Sequence, residues 1–282
     1  MSLTTAGQPP TTYGFDEQRP TIWELFAAMT VQFRVIGALT LRDFRLRILG
    51  HKFGLLMAIA EPMMFVFVIS VAMTFITKSP RIGDSFILFF ATGMIPFNAF
   101  KRTSRSVRMA ERRYRKCLYL PVIRPIDPFV ATMIVELILY NCVYLIFFVA
   151  HYVIVGNGIP HDWAMTFMPI SVNCVFGLGI GLLNSAIAAY FPPWDKIFSI
   201  LTMPLMIASG TIHTIDSLPS AVVNIIYYNP LAHSVVASRS GFFNVYDSTF
   251  YDPYYYLGST AFVLFLGVVA ERYARRRILS SS

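Results

Sequence analysis

Charge is scarce in this chain. Asp, Glu, Lys and Arg together make up 13% of its 282 residues, about half the usual share, while apolar residues reach 56%. Such a chain cannot cover a globule with polar surface, so a soluble fold is excluded and lipid must be its solvent. Cysteine is also sparse. Cys117, Cys142 and Cys174 are odd in number and far apart, which excludes a disulfide framework and gives no metal-ligand spacing. Catalytic motifs are missing too: there is no GxxxxGK[ST] phosphate loop, HExxH, GxSxG or CxxC pair. If transport here is active, its energy comes from another chain or from an ion gradient. Residues 1–20, MSLTTAGQPPTTYGFDEQRP, have no basic region followed by an apolar core. No cleavable signal peptide is expected in them; a disordered cytoplasmic N-terminus is expected, with targeting left to the first apolar helix.

What the sequence has is apolar length. Crossing a bilayer takes about 20 mostly apolar helical residues. Six stretches meet or approach this: Phe53–Thr77, Phe86–Phe100, Pro128–Val155, Trp163–Tyr190, Ile197–Ile215 and Pro253–Ala270. The second is short but extends if Lys101 and Arg102 snorkel to headgroups. Six spans put both termini on one side, and basic residues choose the side. Twenty of the 23 Lys and Arg fall on the terminal side and three, Lys78, Arg81 and Arg239, on the other. Both termini are therefore expected in the cytoplasm. The net charge of +8 follows this asymmetry and does not imply nucleic acid as a partner.

Two stretches are expected to lie at the interface. Thr21–Leu49 mixes apolar and basic positions at helical spacing, as an in-plane amphipathic helix does, and Thr21 with Glu24 forms a capping-box signature. Between Ile215 and Pro253, SAVVNIIYY and LAHSVVASRSGFF are apolar but too short to span, and Asn229-Pro230 separates them. Two short re-entrant or interfacial helices are expected there, around a protein- or water-lined cavity.

The candidate site residues each carry two readings. Glu61 and Glu136 are carboxylates about two turns into apolar helices, where charge is costly. They fit a proton relay or substrate contact, and equally a structural hydrogen bond near the helix end, which is the favoured reading. Trp163, Tyr227, Tyr228, Tyr251 and Tyr254 to Tyr256 fit an aromatic belt or a stacking path for sugars. The belt is favoured for 251–256, and Tyr227 and Tyr228 stay open. His233 and Arg239 share that segment, where Arg239 fits an anion contact or a solvated loop. Gly177, Gly181, Ser185 and Ala189 form a small-residue stripe, read as close helix packing or a dimer seam.

The stretch ERRYRKCLYLPVIRPIDP, Glu111 to Pro128, is basic and proline-rich between apolar runs. Lys101–Arg108 fits a lipid-headgroup anchor. Beyond Arg112, alternating aromatic, aliphatic and proline residues suit a protein docking surface better, because lipid attraction has no need of Tyr114, Leu118, Tyr119 and Leu120.

LGHKFGLLMAIAEPMMFV (Leu49–Val66) resembles the first-helix signature of ABC-2 type permeases. GMIPFNAFKRTSRSV, LYLPVIRPIDPFVATMIVELILY and NPLAHSVVASRSGFF resemble, in order, the membrane subunit of capsular polysaccharide exporters. That resemblance implies an all-α membrane domain over residues 21–282 and a homodimer in the bacterial inner membrane. It also implies a separate nucleotide-binding subunit that carries ATP and Mg, with no cofactor on this chain. The cargo would be a lipid-linked polysaccharide, with periplasmic and outer-membrane partners. A coupling helix would run over about 112–120, with Arg112, Arg113, Tyr114, Lys116, Leu118, Tyr119 and Leu120 at the ATPase. Thr21–Leu49 would be the interface helix, and Ala221–Tyr228 and Leu231–Phe243 the short outer helices. An exporter of O-antigen or teichoic acid shares the fold. An ion-coupled secondary transporter is disfavoured by few buried charges and no visible repeat.

Overall fold

The computed structural model describes residues 22–48, 54–77, 79–80, 82–83, 85–114, 122–246 and 248–281. Among these, all regular structure is helical: α1 (Ile22–Ile48), α2 (Gly54–Ile76), α3 (Phe86–Tyr114), α4 (Asp127–Val155), α5 (Trp163–Tyr190), α6 (Trp194–Ala208), α7 (Ser220–Ile226), α8 (Pro230–Phe242) and α9 (Pro253–Ser281). A single 3-10 turn, Ile215–Ser217, precedes α7. Among the described residues, the part of α1 up to Arg34 belongs to one unit and residues from Val35 form the other, to which the following description applies.

Four described helices are long and apolar enough to cross a membrane: α2 from Ile59, α4, α5 and α9 as far as Arg275. α2 and α9 bury little of their apolar surface within the chain, so their sides are open to lipid, whereas more than half of the α5 span is buried. α5 is the central element because its glycines let neighbours approach to backbone contact. A Cβ added at Gly181 would lie 2.7 Å from Val107 of α3, and one at Gly177 would lie 2.9 Å from the Phe100 carbonyl. On the α9 side, Gly179 faces the backbone of Val263 and Leu264, and Gly267 faces the backbone of Gly179. The predicted stripe of Gly177 and Gly181 is thus used inside the chain, against α3.

Local chemistry sets the helix ends. Asp162 caps α5, its side chain accepting from the Met165 N–H at 3.0 Å, and Gly156 closes α4 in the left-handed conformation at φ 82°. Asn229 caps α8 by accepting from Leu231 N–H at 3.1 Å, with Pro230 at the first helical position. The predicted break at Asn229-Pro230 and the two short helices are present, within a residue or so of the expected ends.

Two expectations need correction. The stretch Ile197–Ile215 is not one continuous helix: α6 has 15 residues, shorter than a span, and ends at Ser209 before Gly210 turns at φ 73°. Arg112, Arg113 and Tyr114 do not open a separate helix either. They are the last turn of the 29-residue α3, because no helix breaker intervenes after Phe100. Residues 115–121, which hold Lys116, Leu118, Tyr119 and Leu120, lie outside the described residues, as do the Thr21 capping position and residues 1–20.

Candidate functional site

The basic end of α3 is where the chain concentrates charge. Asp43 of α1 and Glu136 of α4 are each about 1% exposed, a costly position for carboxylates unless they are paired and hydrogen-bonded. Both are. Arg113 of α3 donates to the two Asp43 oxygens at 3.1 and 3.2 Å. Arg47, one turn after Asp43, bridges from Asp43 at 2.9 Å to Glu136, which also accepts from the Ser106 hydroxyl. Two guanidinia and two carboxylates thus form a formally neutral chain joining α1, α3 and α4. Beside it Tyr114 is fully buried, its hydroxyl donating to the Leu39 carbonyl at 3.4 Å, while Arg112 points outward.

This network lines a cavity of about 490 Å³ that also receives Glu61 and Arg102. The two predicted carboxylates therefore share one wall system but differ in state. Glu136 is committed to Arg47 and Ser106, whereas Glu61 is 69% exposed and pairs with Arg102 at 2.8 Å. Pro62 follows Glu61 within α2.

In the segments after α6, Tyr227, Tyr228 and His233 do come together. His233 is buried between the Tyr227, Phe250 and Tyr255 rings. Its Nδ1 accepts from the Asp252 backbone N–H at 3.2 Å, so the ring proton sits on Nε2, which donates to the Tyr227 carbonyl at 2.8 Å. Burial lowers its pKa below the ordinary imidazole value. With both nitrogens committed and the ring neutral, His233 ties the turn between α7 and α8 to the residue before α9 and is closed to a ligand. Tyr227 donates to Asp252 at 2.9 Å, and Tyr255 donates to the Tyr228 carbonyl at 2.8 Å. Of the predicted aromatics in this corner, Tyr228 and Tyr254 are the ones that offer open ring surface, at 73% and 88% exposed.

Arg239 is neither solvated nor open to an anion. It is fully buried, lies 4.1 Å over the Phe89 ring, and donates to the carbonyls of Gly210 (2.8 Å), Thr211 (2.9 Å) and His213 (3.0 Å). Those carbonyls belong to the turn after α6, so the guanidinium replaces the partners that a continuing helix would have supplied. Around it, Asn173 donates to the Pro96 carbonyl and to Ser234, Tyr256 donates to Asn173, and Tyr144 pairs with Ser238. These bonds tie α3, α4, α5, α8 and α9 together.

An ABC-2 type transporter profile matches residues 34–243, most of the chain and every element of the two regions above except α9. The chain belongs to the ABC-2 type transporter family. Among curated relatives of this ABC-2 protein, the polysialic acid transport protein KpsM of Escherichia coli is 28% identical over 252 residues, covering 89% of this chain and 97% of the relative. The capsule polysaccharide export inner-membrane protein CtrC of Neisseria meningitidis serogroup B is 25% identical, covering 89% and 93%. The corresponding protein BexB of Haemophilus influenzae is 24% identical, covering 86% and 91%. Sequence reasoning about this ABC-2 chain passed over Asp43, Arg47, Ser106 and Tyr140. The Asp43/Arg47 spacing of four on a helix was the available signal for the first pair.

Proposed function

We propose that this chain is the membrane-spanning permease subunit of an ATP-driven exporter that moves lipid-linked capsular polysaccharide across the bacterial inner membrane. The observation that carries this reading is similarity along nearly the whole chain to transport and export proteins whose names specify polysialic acid or capsule polysaccharide. The permease works as a homodimer, each copy with one ATPase subunit that holds ATP and Mg. Periplasmic and outer-membrane partners continue the path. The apolar half of α3, and α6 taken together with the turn that follows it, join the four long apolar helices to make six spans, with both termini cytoplasmic as the basic residues direct. α1 lies along the cytoplasmic interface.

The geometry supports a mechanical route. α3 is one helix of 29 residues, about 44 Å long at 1.5 Å per residue. Movement imposed by an ATPase on the segment of about 112–120 is carried along α3 to its buried Leu88–Phe100 half. The Arg113–Asp43–Arg47–Glu136 chain makes α1 and α4 move with it. The polysaccharide passes between the two copies, with Tyr227 and Tyr228 at the outer end of its path.

Co-purification tests this. The chain alone should bind no nucleotide and should carry an ATPase subunit through purification when the two are co-expressed. Uptake driven by a proton gradient with no ATPase present would sink the proposal.

A further inference from the structure

Where α2, α3 and α4 meet, a second cavity of about 220 Å³ opens beside the first and shares Glu61, Pro62, Arg102 and Tyr140 with it. Its charge is unbalanced. Lys101, Arg102 and Arg105 line it against a single carboxylate, Glu61. Lys101 and Arg105 have no ion-pair partner among the described residues, and the Arg102–Glu61 pair is exposed on both sides and therefore weak. The carboxylates of the larger cavity do not compensate, since Asp43 and Glu136 are neutralised by Arg47 and Arg113.

Tyr140 supplies the second observation. It is more than nine-tenths buried and lines both cavities, yet its hydroxyl has no hydrogen-bond partner among the described residues. Opening into the cavities, this hydroxyl takes its partner from whatever fills them. Three cations, that hydroxyl and the Asn98 amide converge with no free carboxylate to receive them, which is the donor set for an oxyanion. The opposite wall is apolar. Pro62 and Phe65 line the cavity, and Phe65 continues into the exposed Met64 and Val68 of α2. A ligand filling this crevice needs an anionic head and a hydrocarbon tail.

We propose that the crevice between α2 and α3 binds the phosphate of a lipid headgroup. Lys101, Arg102 and Arg105 take the phosphate oxygens, Tyr140 donates its hydroxyl, and the acyl chain lies along α2. The lipid is either a bilayer phospholipid or the lipid end of the transported glycan; the second source rests on the export reading above.

The test uses the purified permease without an ATPase, in phosphatidylcholine nanodiscs doped with phosphatidylglycerol. Lipid retained on the protein is counted by native mass spectrometry after detergent stripping. The wild type should keep phosphatidylglycerol and release phosphatidylcholine. Tyr140→Phe, which removes only the oxygen, should lower retention about fivefold, and Lys101→Gln with Arg105→Gln at least about tenfold. Equal retention of the two lipids, or variants that match the wild type, would overturn the site. Inorganic phosphate binding the lipid-stripped protein as tightly as phosphatidylglycerol does would overturn its assignment to a lipid. Adding a phosphate-linked glycolipid separates the sources: displacement of phosphatidylglycerol assigns the crevice to the cargo's anchor, and continued retention assigns it to a bilayer lipid. With no ATPase in the assay, a null result leaves the export reading standing. Lost ATP-driven export with intact lipid retention bears on that reading alone.

Discussion

Replacing Arg239 with alanine removes three donors from the turn that ends α6. The carbonyls of Gly210, Thr211 and His213 then stay buried without their partner, and the face of Phe89 loses its stacked guanidinium. A hydrogen bond from a charged donor is worth about 1.5–3 kcal/mol, so three independent ones would total about 4.5–9 kcal/mol. They are not independent, and removing a buried cation returns part of its desolvation cost. A loss of about 3–5 kcal/mol is expected, the range for breaking a buried charged network. Arg239→Met keeps most of the volume and should lose nearly as much, because the carbonyls are left unpaired either way. Arg239→Lys should fall between, since one ammonium cannot span three carbonyls in a fixed fork. Equilibrium unfolding in mixed micelles, with increasing dodecyl sulfate, reads these losses directly. A shift below about 1 kcal/mol for Arg239→Ala would refute the reasoning. So would normal stability with selective loss of acidic cargo, which would mean that the arginine reads an anion after all.

Three further outcomes follow from the packing. Glu136→Leu leaves Arg47 without one of its two carboxylates and should destabilise by about 3–5 kcal/mol, whereas Glu136→Gln keeps both hydrogen-bond partners in reach and should cost about 1–2 kcal/mol; equal losses in the same unfolding assay would show that the charge is immaterial. Gly179→Ala places a Cβ 2.8 Å from the Leu264 backbone nitrogen and should cost about 1–3 kcal/mol as α9 is pushed away, while Gly37→Ala, with nothing within 4 Å, should be neutral or gain up to about 1 kcal/mol. Asp252 is held below the ordinary carboxylate pKa by the Tyr255 backbone N–H, then by the Tyr227 hydroxyl and the Tyr254 N–H. A depressed pKa contributes stability that is complete above the unfolded value of about 3.9 and is lost as pH falls through the folded one. Hydrogen-exchange protection at Tyr254 and Tyr255 should therefore drop in strongly acidic solution, and be low at every pH in Asp252→Ala, which removes the accepting oxygen; pH-independent protection in the wild type would contradict this.

Helices were legible wherever apolar length alone decides them. α5 runs from Trp163 to Tyr190, as its apolar run does, and Asn229-Pro230 separates α7 from α8 because proline lacks the N–H to continue a helix. The failures share a cause. α6 stops short because Gly210 turns left-handed and Arg239, 26 to 29 residues away in sequence, holds the freed carbonyls. No local pattern announces that pairing. Arg239 was visible as an isolated charge among apolar residues, a signal for either a ligand contact or a buried pin, and only geometry separates the two. The basic run after Phe100 was equally visible, but its partition was not. Arg113 goes to Asp43, 70 residues away, Arg102 goes to Glu61, 41 residues away, and Lys101 and Arg105 are left over. Tyr140 was hidden in an apolar run, where a tyrosine looks like any other core aromatic until its hydroxyl proves to lack a partner.

The export reading is tested most directly by reconstitution. Permease and ATPase subunit are placed together in proteoliposomes, and movement of a lipid-linked acidic glycan into the lumen is followed with and without ATP. ATP-dependent movement is predicted, with none from the permease alone. Leu118→Glu with Tyr119→Glu is predicted to leave the permease inserted and the ATPase turning over, but to stop the glycan. Glycan movement that needs no ATPase, or that runs on a proton gradient alone, would contradict the account.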